Sequence, residues 1–240
     1  MALFLFALSP GSAGAQTEVD LELVLLADAT GSIDNAEIRF QRQGYADAIR
    51  DPAVLSAIAG TLTGRIAVTY VEWADFISQD VVVPWTIVDG PDTAASFAQA
   101  LMAPPRRAYG RNAIGAALLF GRDLIEDNAI QGLRKVIDIS ADSANNWNGP
   151  TIEEGRDAAL AAGITVNGLA VLCRHCSGRP ISYDLEAAFQ TRIIGGPGSF
   201  VITADSERTF ADAVRRKLVL EIAGQVPLPE EAGRLAKNGR

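Results

Sequence analysis

Leu23-Val24-Leu25-Leu26 is an unbroken aliphatic run, entered by alternation from Val19 and closed by Ala27-Asp28. A strand with one wet face alternates, whereas a strand apolar on both faces needs cover on both, the usual state of a parallel sheet flanked by helices. Such a strand demands a chain that can supply two layers of helix. The 240 residues, 48% of them hydrophobic, suffice for one sizeable core and are short for two full domains.

The rest of the chain supplies the layers. Residues 35–59 place Ile38, Tyr45 and Ile49 on one face at helical spacing, with Asp51-Pro52 as a break or second start. Residues 65–73 and 77–88 are rich in Val, Ile, Tyr and Trp and read as two strands joined by a hairpin through Ala74-Asp75-Phe76, with Pro84 suiting an edge. Asp92 is placed to cap a helix reaching about Met102 and stopped by Pro104-Pro105; a further helix near Asn112 carries Ile114, Leu118, Gly121 and Ile125 on one stripe. Strand 133–140, helix 151–162 with Gly163 as its stop, and strand 164–172 continue the alternation. A helix at 183–190, a short strand at 199–203 and a helix at 206–223 with Phe210, Val214, Leu218 and Ile222 in line complete it. The pattern predicts an α/β fold: a doubly wound, mainly parallel sheet with one antiparallel edge strand and helices on both faces.

The two ends read differently. Residues 2–8 are apolar and are followed by Ser9-Pro10-Gly11 and by Ala13-Gly14-Ala15, which predicts a signal peptide over 1–15, although no Lys or Arg precedes the apolar run. The domain is then expected over 16–224, with a loose tail at 225–240 holding Pro227 and Pro229. No segment reads as transmembrane, and export predicts a periplasmic or secreted protein. The formal charge of -8 presents the wrong sign to a phosphate backbone, so nucleic acid is set aside as a partner.

Sheets of this kind bind ligands beyond the carboxyl ends of their strands. Three polar groups fall there: Asp28-Ala29-Thr30-Gly31-Ser32, Gly110-Arg111-Asn112, and Asp142 after Ser140-Ala141. The alternate side chains of the first present a carboxylate and two hydroxyls; Asn112 adds an amide oxygen and Asp142 a second carboxylate. A set made only of oxygen suits a hard divalent cation. The competing reading is that Asp28 and Asp142 only cap helices and loop amides.

The loop Asp28-Ala29-Thr30-Gly31-Ser32 resembles the metal-ion-dependent adhesion site of von Willebrand factor A domains, whose usual form is Asp-x-Ser-x-Ser. Asn112 stands where that family has a Thr, and Val136-Ile137-Asp138-Ile139-Ser140-Ala141-Asp142-Ser143 matches its third loop, with Ser143 in the place of a Gly. The likeness covers residues 19–223. Tyr70-Val71-Glu72-Trp73, Asn145-Asn146 and Ile194-Gly195-Gly196-Pro197-Gly198 look like an exported bacterial subfamily without assigned function. The resemblance implies a binding module, not an enzyme. In it Thr30, Ser32 and Asn112 would hold Mg²⁺, or Mn²⁺ or Ca²⁺, Asp28 and Asp142 would act mainly through water, and a protein partner's Asp or Glu would complete the shell. An alternative is a metal-free interaction or structural protein of the same fold, for which Asn112 is the argument.

Other motifs carry less. Cys173-Arg174-His175-Cys176 offers at most three ligands to zinc, because the chain has one His, and it follows a late strand, unlike a thioredoxin-type motif. In an exported protein a Cys173–Cys176 loop disulfide is the leading expectation and thiol redox chemistry the weaker one. No Gly-x-Ser-x-Gly elbow supports a hydrolase triad around His175. The aspartyl-phosphatase pattern Asp-x-Asp-x-Thr is absent at the end of the first strand, where Leu26, Asp28 and Thr30 alternate. Gly195 to Gly198 precede a strand and read as a tight turn. Trp147, beside Asp142, reads either as an exposed contact or as loop packing.

Overall fold

A computed structural model describes residues 16–172, 184–204 and 207–225. The expected leader at 1–15, Cys173 and Cys176, the helix starts at Tyr183 and Ser206, and the tail from residue 226 lie outside the described residues. Six strands form one sheet: β1 (Thr17–Asp28), β2 (Ile66–Trp73), β3 (Gln79–Val88), β4 (Ile130–Ala141), β5 (Thr165–Val171) and β6 (Val201–Ala204), in the order β3-β2-β1-β4-β5-β6. All neighbours are parallel except β2 and β3, so β3 is the antiparallel edge. Pro84 sits on it, and the β2–β3 register shifts around Thr69, whose hydroxyl donates to the Val83 carbonyl at 2.8 Å.

The central strand behaves as its composition requires. Leu21, Leu23 and Leu25 enter one core layer with Tyr45, Phe97, Phe210 and Leu218, while Val24 and Leu26 enter the opposite one with Trp73, Leu118, Ile137 and Phe189. The first layer is covered by α1 (Asn35–Ile49), α2 (Pro52–Ala59), α3 (Pro91–Met102) and α7 (Glu207–Ala223), the second by α4 (Ile114–Glu126), α5 (Ile152–Ala161) and the short α6 (Leu185–Ala188), which runs into a π-turn over Phe189–Ile193. Two expectations need correction. The second hairpin strand starts at Gln79 because Ser78 closes a turn onto Asp75, and α3 is capped by Gly90, with Pro91 in its first turn and the Thr93 hydroxyl accepting the Gly90 amide at 3.1 Å. Asp92 is merely a first-turn carboxylate.

Two features position the upper ends of the strands. The entries to α4 and α5 touch through Gly115 and Gly155: a Cβ at 115 would overlap the carbonyls of Pro150 and Thr151, and one at 155 would overlap that of Gly115. Below, the sheet holds a fully buried charge cluster. Lys217 of α7 lies 2.7 Å from Asp138 of β4 and 2.5 Å from Glu221, and Asn167 donates to Glu221 at 2.9 Å.

Candidate metal centre

The carboxyl ends of β1, β2 and β4 open onto three loops that are stitched together by their own backbones. The Gly31 amide donates to the Gly110 carbonyl at 2.8 Å, that of Ala113 to Ala74 at 3.0 Å, and that of Trp147 to Asn112 at 2.8 Å. Asn146 accepts the Gly115 amide at 3.1 Å, which satisfies an otherwise unpaired donor in the first turn of α4.

Within this frame the Asp28 carboxylate accepts the Thr30 amide at 2.8 Å and faces the Asp142 amide at 3.4 Å, while the Thr30 and Ser32 hydroxyls lie 3.1 Å apart. Asn112 donates its amide nitrogen to the Ser143 hydroxyl at 3.0 Å, so the end of the side chain left for a cation is its oxygen. Asp28, Thr30, Asn112 and Asp142 are buried and Ser32 is half-buried. All five residues singled out from the sequence thus stand in one neighbourhood. Part of the capping reading also holds, since Asp28 does serve loop amides; the helix that follows is capped instead by Asp34, in a reciprocal pair with Glu37.

Electrostatics gives this neighbourhood its chemistry. Burial and the adjacent Asp142 charge push the Asp28 carboxyl up to about 7, against the pull of hydrogen bonds from Thr30 and Asp142. Burial raises Asp142 as well, while contacts with Ser32 and Asp28 pull the other way. Among the described residues, no Lys, Arg or His forms an ion pair with either carboxylate. Two buried carboxylates without a countercharge, surrounded by hydroxyl and amide oxygens, fit a hard divalent cation, which would remove the mutual repulsion.

Some residues of the site gave no signal in the sequence. Arg106 reaches back 73 residues or more to donate to the carbonyls of Ala29, Thr30 and Ile33, pinning the first loop from behind. Its acceptors are backbone atoms, and no residue pattern records them. Asp75 is a second hub: it accepts from Asn148 at 2.7 Å and from the Arg111 amide at 3.3 Å, and these bonds hold its carboxyl below its ordinary value. Gln41 donates to the Asp28 carbonyl at 3.3 Å.

The sheet order, the single antiparallel edge and the loops at the parallel strands' carboxyl ends define a von Willebrand factor A-like fold, and solved structures agree. The pilus adhesin SpaC from Lactobacillus rhamnosus GG aligns with a TM-score of 0.62 at 13% identity over 87% of this chain and 32% of its own. Proximal thread matrix protein 1 from the mussel byssus, with a zinc-occupied MIDAS motif, aligns at 0.61 and 18% over 87% and 49%. A von Willebrand factor type A protein from Catenulispora acidiphila aligns at 0.56 and 15% over 85% and 43%. The chain therefore spans about a third to a half of these structures. In sequence, a family described as protein of unknown function (DUF1194) matches residues 18–226, and the chain belongs to that family. No curated protein matches.

Proposed function

We propose that this protein is a binding module that presents one divalent cation at the rim of its sheet to a carboxylate of a protein partner. The observation that carries the reading is the pair Asp28 and Asp142, buried side by side without a countercharge among the described residues. Thr30, Ser32 and Asn112 would ligate a Mg²⁺-type ion, with Mn²⁺ or Ca²⁺ as substitutes, and Asp28 and Asp142 would hold its waters. The remaining position would go to an Asp or Glu from outside. The ion would act as an electrostatic bridge and the domain would perform no bond chemistry. The zinc-occupied MIDAS motif of the mussel protein supports a divalent ion on this fold, and the pilus adhesin supports a role in adhesion. The leader pattern at 1–15 supports export to the periplasm or exterior, and no helix among the described residues is long and apolar enough to cross a membrane.

Linkage supplies the test. An ion that binds only the folded state stabilises it by about 2.7 kcal/mol at one hundred times its dissociation constant. Millimolar Mg²⁺ or Mn²⁺ should raise the melting temperature of the wild type and leave Asp28→Ala unmoved; an unmoved wild type refutes the reading. The metal-free alternative rests on Asn112 itself, which stands where the resemblance has a Thr. If Asn112→Thr gains a metal response that the parent lacks, the site is vestigial.

A further inference from the structure

We propose that the loops beside the oxygen cluster form a docking platform for an acidic peptide segment whose metal-seeking carboxylate is flanked by aliphatic or aromatic side chains. This rests on the metal-dependent reading above and adds the partner's chemistry. Among the described residues seven large hydrophobic side chains are exposed, and four of them stand in the loops around the site: Phe76 and Ile77 at the β2–β3 turn, Tyr109 before Asn112, and Trp147 after Asp142. Ile77 is 85% exposed and Trp147 61%. Exposed apolar groups gathered at one rim mark an interaction surface, whereas scattered ones do not.

The platform is held in shape before any partner arrives. Phe76 lies over Gly149, where an added Cβ would come within 2.7 Å of its ring, and Asn148 bonds Asp75 at 2.7 Å. The Tyr109 amide donates to Ser78 at 3.0 Å. The loop backbones therefore need little ordering on binding, and the cost falls on the exposed side chains. The charge is also specific. In a chain of net charge -8, residues 106–111 contain three Arg and no acid. The Arg106 guanidinium lies 4.5 Å from the Tyr109 ring centroid and that of Arg111 5.0 Å from Trp147. Arg106 is committed to loop carbonyls, while Arg107, 64% exposed and 3.8 Å from Asp80, and the exposed Arg111 beside Asp75 are the outward cations. Aromatic and arginine side chains beside a cation fit an anionic group with apolar neighbours. A uronate glycan fits less well, because Ile77 and Phe76 give a sugar nothing to hydrogen-bond and guanidinium already covers one face of each stacking ring.

The test is selection of a displayed library of linear peptides with a fixed central Asp and random flanks on the full chain in Mg²⁺. Wild type should enrich aliphatic and aromatic residues within a few positions of the Asp. The enriched peptides should bind the double variant Ile77→Ser, Trp147→Ser at least tenfold more weakly, while that variant keeps its Mg²⁺-induced rise in melting temperature. Recovery of no peptide, random flanks, or equal binding to the double variant overturns the proposal. So does Trp147-dependent retention of oligogalacturonate in place of the peptides. Failure of the metal reading looks different: enriched peptides would then bind equally in chelator and to Asp28→Ala.

Discussion

Two sets of buried carboxylates are brought together by β4, one through Asp138 within the strand and one through Asp142 just past its end, and are handled in different ways. Asp138 and Glu221, inside the sheet–α7 layer, share Lys217, which is itself fully buried. Asp28 and Asp142, at the strand ends, share only hydroxyls and amides. Nearby, Glu72 has its own buried partner in Arg42 at 2.7 Å. Away from the rim a buried carboxylate is met either by a cation, as at Asp138, Glu221 and Glu72, or by a full set of amide and hydroxyl donors, as at Glu22 and Asp20; at the rim two carboxylates share one such set. Buried charge is tolerable when compensated, and among the described residues the rim pair has hydrogen bonds but no cation, so a proton or an ion from solution would complete its compensation.

The largest break in this comparison is Lys217→Met. It leaves two buried carboxylates without their lysine and should lower the unfolding free energy by about 3–5 kcal/mol, measured in urea, whether or not metal is present. Asp28→Asn should do the opposite in metal-free protein at pH 8, where it removes repulsion and leaves stability equal or higher, while abolishing the Mg²⁺ response. Third comes pH. The folded Asp28 carboxyl titrates near 7 and the unfolded one near its ordinary 3.8, so the folded state holds the extra proton between those values. Its stabilisation is complete below about pH 4 and lost as the pH rises through 7, and Asp138, raised to about 7 mainly by burial, has the same sign. The difference in melting temperature between wild type and Asp28→Asn without metal should therefore move in the variant's favour from pH 4 to pH 8; a flat difference would count against an uncompensated pair. Arg106→Gln, which unpins the first loop, should weaken Mg²⁺ binding and remove about 2 kcal/mol of stability, the range of charged hydrogen bonds. Asn112→Thr should be the mildest, tightening Mg²⁺ binding by less than about tenfold in calorimetry.

What could be read from sequence followed from local chemistry. The run Leu23 to Leu26 dictated a two-faced strand, and Phe210, Val214, Leu218 and Ile222 dictated the buried stripe of α7. The polar residues after β1 and β4 were visible because strand ends are where such folds place ligands. What escaped depends on contacts remote in sequence. Asp138 inside Val136-Ile137-Asp138-Ile139 was in plain view and should have demanded a partner, yet Lys217 lies 79 residues on and nothing local points to it. Arg106 and Asp75 act on backbone atoms of other loops, and their roles appear only when those loops are brought together.

The bare contact between Gly115 and Gly155 reaches further than packing. With no side chain between the two helix entries, the segment carrying Asn112 and the one carrying Asp142 and Trp147 are held directly against each other. A methyl group at either glycine would act as a wedge, displacing a cation ligand and a partner contact together. The spacing beneath these loops admits no side chain at either glycine.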